Sequence, residues 1–190
     1  VVTVGVSPNG TNINDRCGST HLALIKETVV ASGADIGIAL DGDADRLIVI
    51  DEQGREVDGD QIMGLIATRM LERGTLRGGG VVATVMSNLG LERYLATIGL
   101  TLERTKVGDR YVLEELEKNG WLLGGEGSGH LLALDKHSTG DGLVSALQVL
   151  DVVRRQKSGL RRLRAGLERT PQQTRNVRVG AVAKAVVAAP

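Results

Sequence analysis

The sequence predicts an α/β fold with mainly parallel, mixed sheets and helices on both faces. Short apolar runs rich in Val and Ile, such as residues 36–40 and 47–50, have the length and composition of buried strands. They alternate with longer segments whose apolar residues recur at helical spacing, and this alternation favours a parallel sheet covered by helices. The 26 glycines supply the tight turns that such a chain needs.

The first third of the chain contains apolar runs and helix signals in the order strand, helix, strand, strand. The predicted elements are a strand at 1–6, a helix that starts near Ser19 or Thr20 and ends at Gly33, and strands at 36–40 and 47–51. Ser and Thr are favoured helix caps, and Gly is favoured just after a helix. The Val-rich start, without an initiating Met, predicts a fragment that begins inside a core strand.

The remaining chain begins with a helix from Asp58 or Gly59 to Gly74, in which we interpret Asp58 and Asp60 as helix caps and dipole partners. The elements that follow are a strand at 81–85, a helix at 89–98, a strand at 100–105, a helix at 109–118, a strand at 121–123, a glycine-rich loop at 124–129, a strand at 130–134 and a helix at 142–155. The basic run 157–178 predicts a solvated helix followed by a linker.

Three carboxylates occupy alternate positions between two predicted strands, at Asp41, Asp43 and Asp45. Like charges this close repel each other unless a hard cation neutralises them, and Mg²⁺ takes oxygen ligands of this kind. Arg46 follows directly and suits a phosphate oxygen. A solvated turn is the alternative interpretation. An EF-hand loop is excluded, because Arg46 occupies the sixth position that needs Gly and strands flank the loop.

The glycine-rich loop at 124–129 carries Glu126 and Ser128, which face the same way if the loop is extended. A carboxylate beside a hydroxyl suits sugar hydroxyl groups. The loop is neither a P-loop nor a dinucleotide-binding motif, because it lacks Gly-Lys-Ser/Thr and a strand follows it. A glycine-rich hairpin without a ligand is the alternative.

Further polar residues lie at the predicted carboxyl ends of strands, where the ligands of such sheets bind. Lys106 closes a strand before Gly108 and is a candidate for proton transfer. His130 lies beside the glycine-rich loop, where a structural role and a chemical role are equally open. Asp109 is placed to cap the following helix, and Arg110 to face a substrate.

The run Asp41-Gly42-Asp43-Ala44-Asp45-Arg46 resembles the metal loop of the α-D-phosphohexomutases. Other segments resemble that family's motifs in the same order, at 10–14, 17–21, 57–63, 106–112, 124–130 and 139–142. Together they cover nearly the whole chain, which makes the resemblance specific although each motif alone is weak.

The resemblance implies an intramolecular phosphotransferase that moves a phosphoryl group between two positions of one hexosamine phosphate. It implies Mg²⁺ as the cofactor, bound by the three aspartates of the metal loop. The implied catalytic residues are Lys106, Arg46 and His130, and the implied substrate-binding residues are Glu126, Ser128, Gly108, Asp109 and Arg110.

The resemblance also implies a division of the chain. Residues 1–57 match the C-terminal part of the family's second domain, 58–170 its third domain, and 171–190 a linker or the start of a further domain. The family's phosphoryl-carrying serine motif and its C-terminal phosphate loop have no counterpart in this sequence. We therefore expect the isolated chain to be inactive and to need the N- and C-terminal domains of the same protein.

Composition limits the remaining classes. The net charge of zero argues against nucleic-acid and membrane-surface partners. Cys17 is the only cysteine, which excludes an intrachain disulfide and fits a reducing cytoplasm. Two alternatives stay open: another phosphohexomutase, acting on mannose or glucose phosphates, and a non-catalytic module that binds Mg²⁺ and a sugar phosphate.

Overall fold

The computed structural model describes residues 1–175. Its helices and strands are α1 Ala23–Ser32, β1 Ile36–Leu40, β2 Leu47–Asp51, β3 Glu56–Val57, α2 Gly59–Glu72, β4 Gly80–Thr84, α3 Leu89–Thr97, β5 Thr101–Thr105, α4 Asp109–Asn119, β6 Leu123–Gly125, β7 Leu131–Ala133, α5 Gly142–Gln156 and α6 Leu160–Leu163. Most of the predicted linker at 171–190 lies outside the described residues.

The first sheet is antiparallel and has the order β1-β2-β3. Ile36 pairs with Asp51 and Leu40 with Leu47, so the hairpin closes at Leu40 and Leu47. Because the three carboxylates fall between these two residues, the hairpin turn presents them together.

The second sheet has the order β5-β4-β6-β7. β4 is parallel to both β5 and β6, whereas β7 returns antiparallel to β6. The predicted α/β fold with a mixed, mostly parallel sheet is therefore confirmed. Helices cover both faces of this sheet, since Val82 of β4 packs against α4 and its neighbours Val81 and Ala83 join the core on the side of α2 and α3.

One hydrophobic core extends across both sheets. In β2, Leu47 and Val49 point into this main core, whereas Ile48 and Ile50 pack with Val29 of α1 on the other face. The alternation follows from the two-residue period of a strand buried on both faces. α2 and α5 contact each other and contribute Ile62 and Val149 among other residues to the main core, which joins the two sheets.

The predicted strand at 1–6 is wrong. These residues form no regular element, and Val1, Val2 and Val6 are exposed. A Val-rich run becomes a strand only where a neighbouring strand accepts its hydrogen bonds. Among residues 1–175, the first sheet offers β1 no partner other than β2.

The predicted caps of α1 are also wrong. The helix begins at Ala23 after Leu22, which provides no side-chain cap. The backbone N–H of Ser19 donates to the carbonyl of Leu40 (3.0 Å), and the Thr20 hydroxyl contacts Nδ1 of His21 (3.2 Å). The Ser19 bond ties that stretch to the end of β1, and the helix starts only beyond it. Its predicted end at Gly33, in the left-handed conformation, is confirmed.

Three smaller differences have local causes. Gly108 rather than the predicted Asp109 is the N-cap of α4, and Asp109 lies in the first turn, where its Oδ1 accepts the Arg110 N–H (2.8 Å). β6 starts at Leu123 rather than at residue 121, because the Trp121 N–H donates to the Leu116 carbonyl (2.9 Å) and closes the C-terminus of α4. The helix expected in the basic run is reduced to the single turn of α6. None of the described helices has the length and apolar character required to cross a bilayer.

Candidate functional site

The acidic turn, residues 41–46, forms a cluster of carboxylates at the end of the β1–β2 hairpin. Asp41, Asp43 and Asp45 each offer an oxygen within 4.8 Å of the others. The turn closes through a hydrogen bond from the Ala44 N–H to the Asp41 carbonyl (3.1 Å), with Ala44 in the left-handed conformation (φ 59°). The Arg46 N–H donates to Asp41 Oδ1 (3.1 Å), which fixes that carboxylate against the backbone.

The electrostatics of this turn fit a hard divalent cation. Burial raises the pKa of Asp45, and its hydrogen bond and charge repulsion with Asp41 raise it further, while His130 lowers it. Arg46 Nε lies 3.7 Å from Asp41 Oδ2 and 3.8 Å from Asp45 Oδ1, so its positive charge lies near two of the three carboxylates. Carboxylate oxygens in excess of local cations are the donor set that hard cations bind.

The glycine loop, residues 124–129, rests on the first turn of α2. The Gly59 N–H donates to the carbonyl of Gly127 (3.1 Å). A Cβ atom at Gly59 would clash with the Glu126 carbonyl oxygen, so glycine at this position allows the loop to approach the helix. The approach orients Glu126 and Ser128 toward the same cleft.

Glu126 connects the glycine loop to the turn after β5. Its Oε1 accepts a hydrogen bond from the Gly108 N–H (3.0 Å), and its Oε2 lies 3.5 Å from the Ser128 hydroxyl. Gly108 has φ 129° and ψ 132°, a conformation that L side chains rarely adopt. The structure thus brings Gly108, Glu126 and Ser128 together, as the sequence predicts.

His130 joins the acidic turn to the second sheet. Its Nδ1 lies 3.1 Å from Asp45 Oδ2, and its Nε2 lies 3.9 Å from Asp109 Oδ2. The ring is buried (7% exposed), and a Cβ atom at Gly140 would clash with it. Nε2 makes no hydrogen bond to any residue that the structure describes.

The backbone connects the two loops directly as well. Arg46 and His130 form an antiparallel β-bridge, and the Leu47 N–H donates to the Gly129 carbonyl (3.0 Å). The acidic turn and the glycine loop are therefore held in a fixed relation by main-chain contacts.

Two of the predicted site residues point elsewhere in this structure. Lys106 is exposed, with Nζ 5.8 Å from the centre of the Tyr111 ring. Arg110 Nε donates to Glu114 Oε1 (2.8 Å) along the surface of α4, and 83% of the Arg110 side chain is exposed. Neither residue lines the cleft that contains Glu126 and Ser128.

The polar cleft has a volume of about 500 Å³ and is lined by Arg46, Asp58, Asp60, Thr84, Met86, Val107, Glu126, Gly127, Ser128, Arg169, Gln172 and Thr174. A larger cavity, about 900 Å³, lies between residues 3–18 and β1 and touches the acidic turn only at Asp41 and Gly42. An apolar groove of about 270 Å³ lies along the junction of α2 and α5. Of these three cavities among residues 1–175, only the polar cleft contains both Arg46 and the side chains of the glycine loop, so we take it as the candidate site.

Two acidic residues of the cleft wall are helix-start carboxylates. Asp58 Oδ1 accepts from the Gln61 N–H (3.0 Å), so its predicted role as the cap of α2 is confirmed. Asp60 Oδ2 accepts from the Asn88 N–H (2.7 Å) at the start of α3. Both side chains are buried, and burial raises the pKa of each carboxyl group.

Arg169 is a residue of the cleft that the sequence pattern does not reveal, because it lies in a basic run predicted to be solvated. Arg169 Nε lies 3.1 Å from Asp58 Oδ2, and the residue lines the polar cleft. No local pattern marks it, because its partner lies at the opposite end of the segment that forms the second sheet. The available signal was that a buried carboxylate such as Asp58 requires a cation nearby. The sequence does not indicate which arginine provides it.

Comparisons with known proteins fit this geometry. The models described as Phosphoglucomutase/phosphomannomutase, alpha/beta/alpha domain II and domain III match residues 3–54 and 58–170. A phosphoglucosamine mutase of Erythrobacter litoralis is 64% identical over 178 residues, which are 94% of this chain and 39% of that protein. A phosphoglucosamine mutase of Sphingopyxis alaskensis is 61% identical, with coverage of 94% and 40%. The chain thus spans about two fifths of the length of these relatives.

Solved structures share the fold. A phosphoglucomutase/phosphomannomutase family protein of Burkholderia thailandensis matches with a TM-score of 0.72 and 29% identity, over 81% of this chain and 34% of that one. An Aspergillus fumigatus N-acetylphosphoglucosamine mutase, solved with GlcNAc-6P and magnesium, matches with a TM-score of 0.69 and 21% identity, over 86% and 39%.

Proposed function

Since this chain belongs to the phosphoglucomutase/phosphomannomutase family, we propose that the protein containing it is a phosphoglucosamine mutase. Such an enzyme interconverts glucosamine 6-phosphate and glucosamine 1-phosphate through a phosphoserine and a bisphosphate intermediate. The 64% and 61% identity to relatives of that name supports this substrate over other hexose phosphates. The observation that carries the proposal is the main-chain bridge between Arg46 and His130, which holds the acidic turn beside the glycine loop.

Asp41, Asp43 and Asp45 would hold Mg²⁺ in this proposal. The support is the set of close oxygen donors and the raised pKa of Asp45. When bound, the ion neutralises charge that develops on the transferring phosphoryl group. Arg46, beside two of these carboxylates, would contact a phosphate oxygen.

The glycine loop would bind and orient the sugar. The Glu126 carboxylate accepts hydrogen bonds from sugar hydroxyls, and the Ser128 hydroxyl can both donate and accept. The Gly108 N–H holds one oxygen of Glu126 and leaves the other directed toward Ser128 and the cleft. Asp109 would contribute to substrate binding through His130, and Arg110 would do so after leaving Glu114.

His130 and Lys106 are the proposed proton-transfer groups. His130 is held in one orientation by Asp45, which favours a defined ring nitrogen for exchange of a proton at Nε2. Lys106 would turn from Tyr111 into the cleft, a change that its exposed and flexible side chain permits.

The whole protein would contain domains beyond this chain. Residues 1–57 would be part of the second domain and 58–170 the third, with N- and C-terminal domains supplying the phosphoryl carrier and a second phosphate clamp. We place the protein in the cytoplasm. Phosphoryl transfer needs carrier, metal and clamp together, so residues 1–190 alone are expected to give no turnover even with Mg²⁺ and glucose 1,6-bisphosphate.

Two measurements test the proposal. Calorimetric titration of residues 1–190 should show Mg²⁺ binding that Asp43→Asn abolishes and that Asp35→Asn, at an exposed aspartate outside the turn, retains. A coupled assay of the full-length protein should show glucosamine 1-phosphate formation that is lost with Asp43→Asn. Equal Mg²⁺ affinity in the two variants would refute the metal assignment, and full-length protein without mutase turnover would refute the activity.

A further inference from the structure

The crossing segment, residues 167–172, lies across the N-termini of α2 and α3. Gln61 Nε2 donates to the Leu167 carbonyl (2.9 Å), and Arg169 Nε pairs with Asp58 Oδ2 (3.1 Å), both at the start of α2. Further along, Gln172 Nε2 donates to the Met86 carbonyl (2.9 Å). A segment without regular structure is thus fixed by side chains at three points.

Asn88 provides the strongest attachment. Its Nδ2 donates to the Thr170 carbonyl (2.9 Å) and to Gln172 Oε1 (3.0 Å), and its Oδ1 accepts from the Thr170 N–H (2.9 Å). Asn88 is only 3% exposed, so these bonds are made away from water, where a lost partner is costly. They place Arg169, one residue before Thr170, at the wall of the polar cleft.

Only one nitrogen of the Arg169 guanidinium interacts with a residue of the range 1–175. Its Nε meets Asp58, whereas its Nη atoms make no hydrogen bond to residues 1–175, and 55% of the side chain is exposed. Arg46, by contrast, already lies within 3.8 Å of two carboxylates. The described part of the cleft wall therefore contains one arginine committed to the acidic turn and one with free donors.

The neighbouring carboxylates offset only part of this charge, because Asp58, the ion-pair partner of Arg169, and Asp60 are also compensated by helix N-termini. Asp58 also accepts the Gln61 N–H and Asp60 accepts the Asn88 N–H, each at the N-terminus of a helix. The positive ends of two helix dipoles thus compensate the two carboxylates. A planar guanidinium with free Nη donors matches two oxygens of a phosphate group.

We propose that Arg169 is a substrate-binding residue that contacts the phosphate group of the sugar phosphate, held in place by Asp58 and Asn88. This inference rests on the proposed function, because it requires a sugar phosphate in the polar cleft. Besides the acidic turn and the glycine loop, the crossing segment would then also contact the substrate, through its phosphate group.

The test compares two ligands, glucosamine 6-phosphate and glucosamine, titrated into residues 1–190 with Mg²⁺ present. The wild-type chain should bind the phosphorylated sugar more tightly. Arg169→Gln should weaken glucosamine 6-phosphate binding by about tenfold, the effect of losing one charge-assisted contact, and leave glucosamine binding unchanged. Arg162→Gln, at an exposed arginine of α6 outside the cleft lining, is the matched control and should behave as wild type.

A second variant separates binding from folding. Arg169→Gln leaves the buried Asp58 without its cation, whereas Asp58→Asn combined with Arg169→Gln removes that charge and retains a residue type that caps helices well. The double variant should recover the thermal unfolding midpoint and still lack the phosphate preference. Recovery of the preference together with stability would overturn the inference.

The remaining outcomes distinguish this inference from the proposed function. If wild type prefers glucosamine 6-phosphate and Arg169→Gln keeps that preference, the Arg169 assignment is wrong and the proposed function stands. If wild type shows no preference for the phosphorylated sugar, sugar phosphate binding by this chain fails and the inference fails with it.

Discussion

The tripeptide Asp-Gly-Asp occurs twice in the site, at residues 41–43 and 58–60, and the two copies do opposite things. At 41–43 the carboxylates lie on a hairpin turn, close to a third aspartate, with Arg46 as the nearby cation. At 58–60 each carboxylate accepts a backbone N–H at a helix start and is buried. The carboxylates of the first copy remain available to bind a cation, whereas those of the second copy accept hydrogen bonds that stabilise helix starts. Three identical residues thus acquire their role from the N–H groups around them.

Replacement of the glycine in the second copy should have the largest effect. Gly59→Ala places a Cβ atom against the Glu126 carbonyl and the Gly129 N–H, and backbone cannot move aside as a side chain can. We expect a loss of about 3 kcal/mol in the free energy of unfolding, at the upper end of overpacking costs. Urea unfolding measures this loss.

Gly159→Ala is the control for this prediction, because its Cβ would meet only the flexible end of the Glu52 side chain. We expect it to cost much less than Gly59→Ala. Similar values for the two variants would mean that the glycine loop does not depend on close contact with α2.

Removal of the capping carboxylate should have the next largest effect. Asp58→Ala leaves the Gln61 N–H and Arg169 without their acceptor and should cost about 1–2 kcal/mol, as measured for helix caps. Asp58→Asn keeps the cap and should cost less. If Asp58→Ala unfolds at the same urea concentration as wild type, the aspartates at 58–60 do not stabilise the helix starts.

The pH dependence of stability should also separate the copies. Burial raises the pKa of Asp60 in the folded chain, so the folded state binds this proton more tightly than the unfolded state. The resulting stabilisation is fully present below the unfolded pKa near 3.8 and is lost as the pH rises through the folded value. Asp60→Asn cannot titrate, and its stability should fall less over this range than that of wild type.

Unfolding midpoints in urea, measured at a series of pH values for both proteins, test this prediction. Asp35→Asn, at an exposed position, is the control and should follow the wild-type curve. Parallel curves for Asp60→Asn and wild type would show that Asp60 titrates alike in the folded and unfolded chains.

The smallest effect on stability is expected in the first copy. Asp43 is exposed and contributes mainly repulsion, so Asp43→Asn without metal should change the free energy of unfolding by no more than about 0.5 kcal/mol. Added Mg²⁺ should raise the unfolding midpoint of wild type through binding to the folded state and leave that of the variant unchanged. A large loss of stability without metal would place Asp43 among the structural aspartates.

The sequence was most informative where a feature is contiguous. The strands 36–40 and 47–51 and the acidic turn between them are visible because a hairpin brings neighbours together. The strand predicted at 1–6 is absent, because strand formation depends on a neighbouring strand that local composition cannot reveal. Contacts between distant segments, such as His130 with Asp45 and Arg169 with Asp58, arise from packing of the two sheets and could not be predicted.

The bridge between Arg46 and His130 has a consequence for motion. With the bond from the Leu47 N–H to the Gly129 carbonyl, it links the acidic turn to the glycine loop through the main chain, so we expect the two to move together. A ligand that enters and leaves must then pass elements outside these two segments, such as the turn around Gly108 or the segment that carries Arg169. We therefore expect the site to open by movement of these elements while the acidic turn and the glycine loop stay in place. Amide hydrogen exchange should be slow at Leu47 and faster in the turn around Gly108.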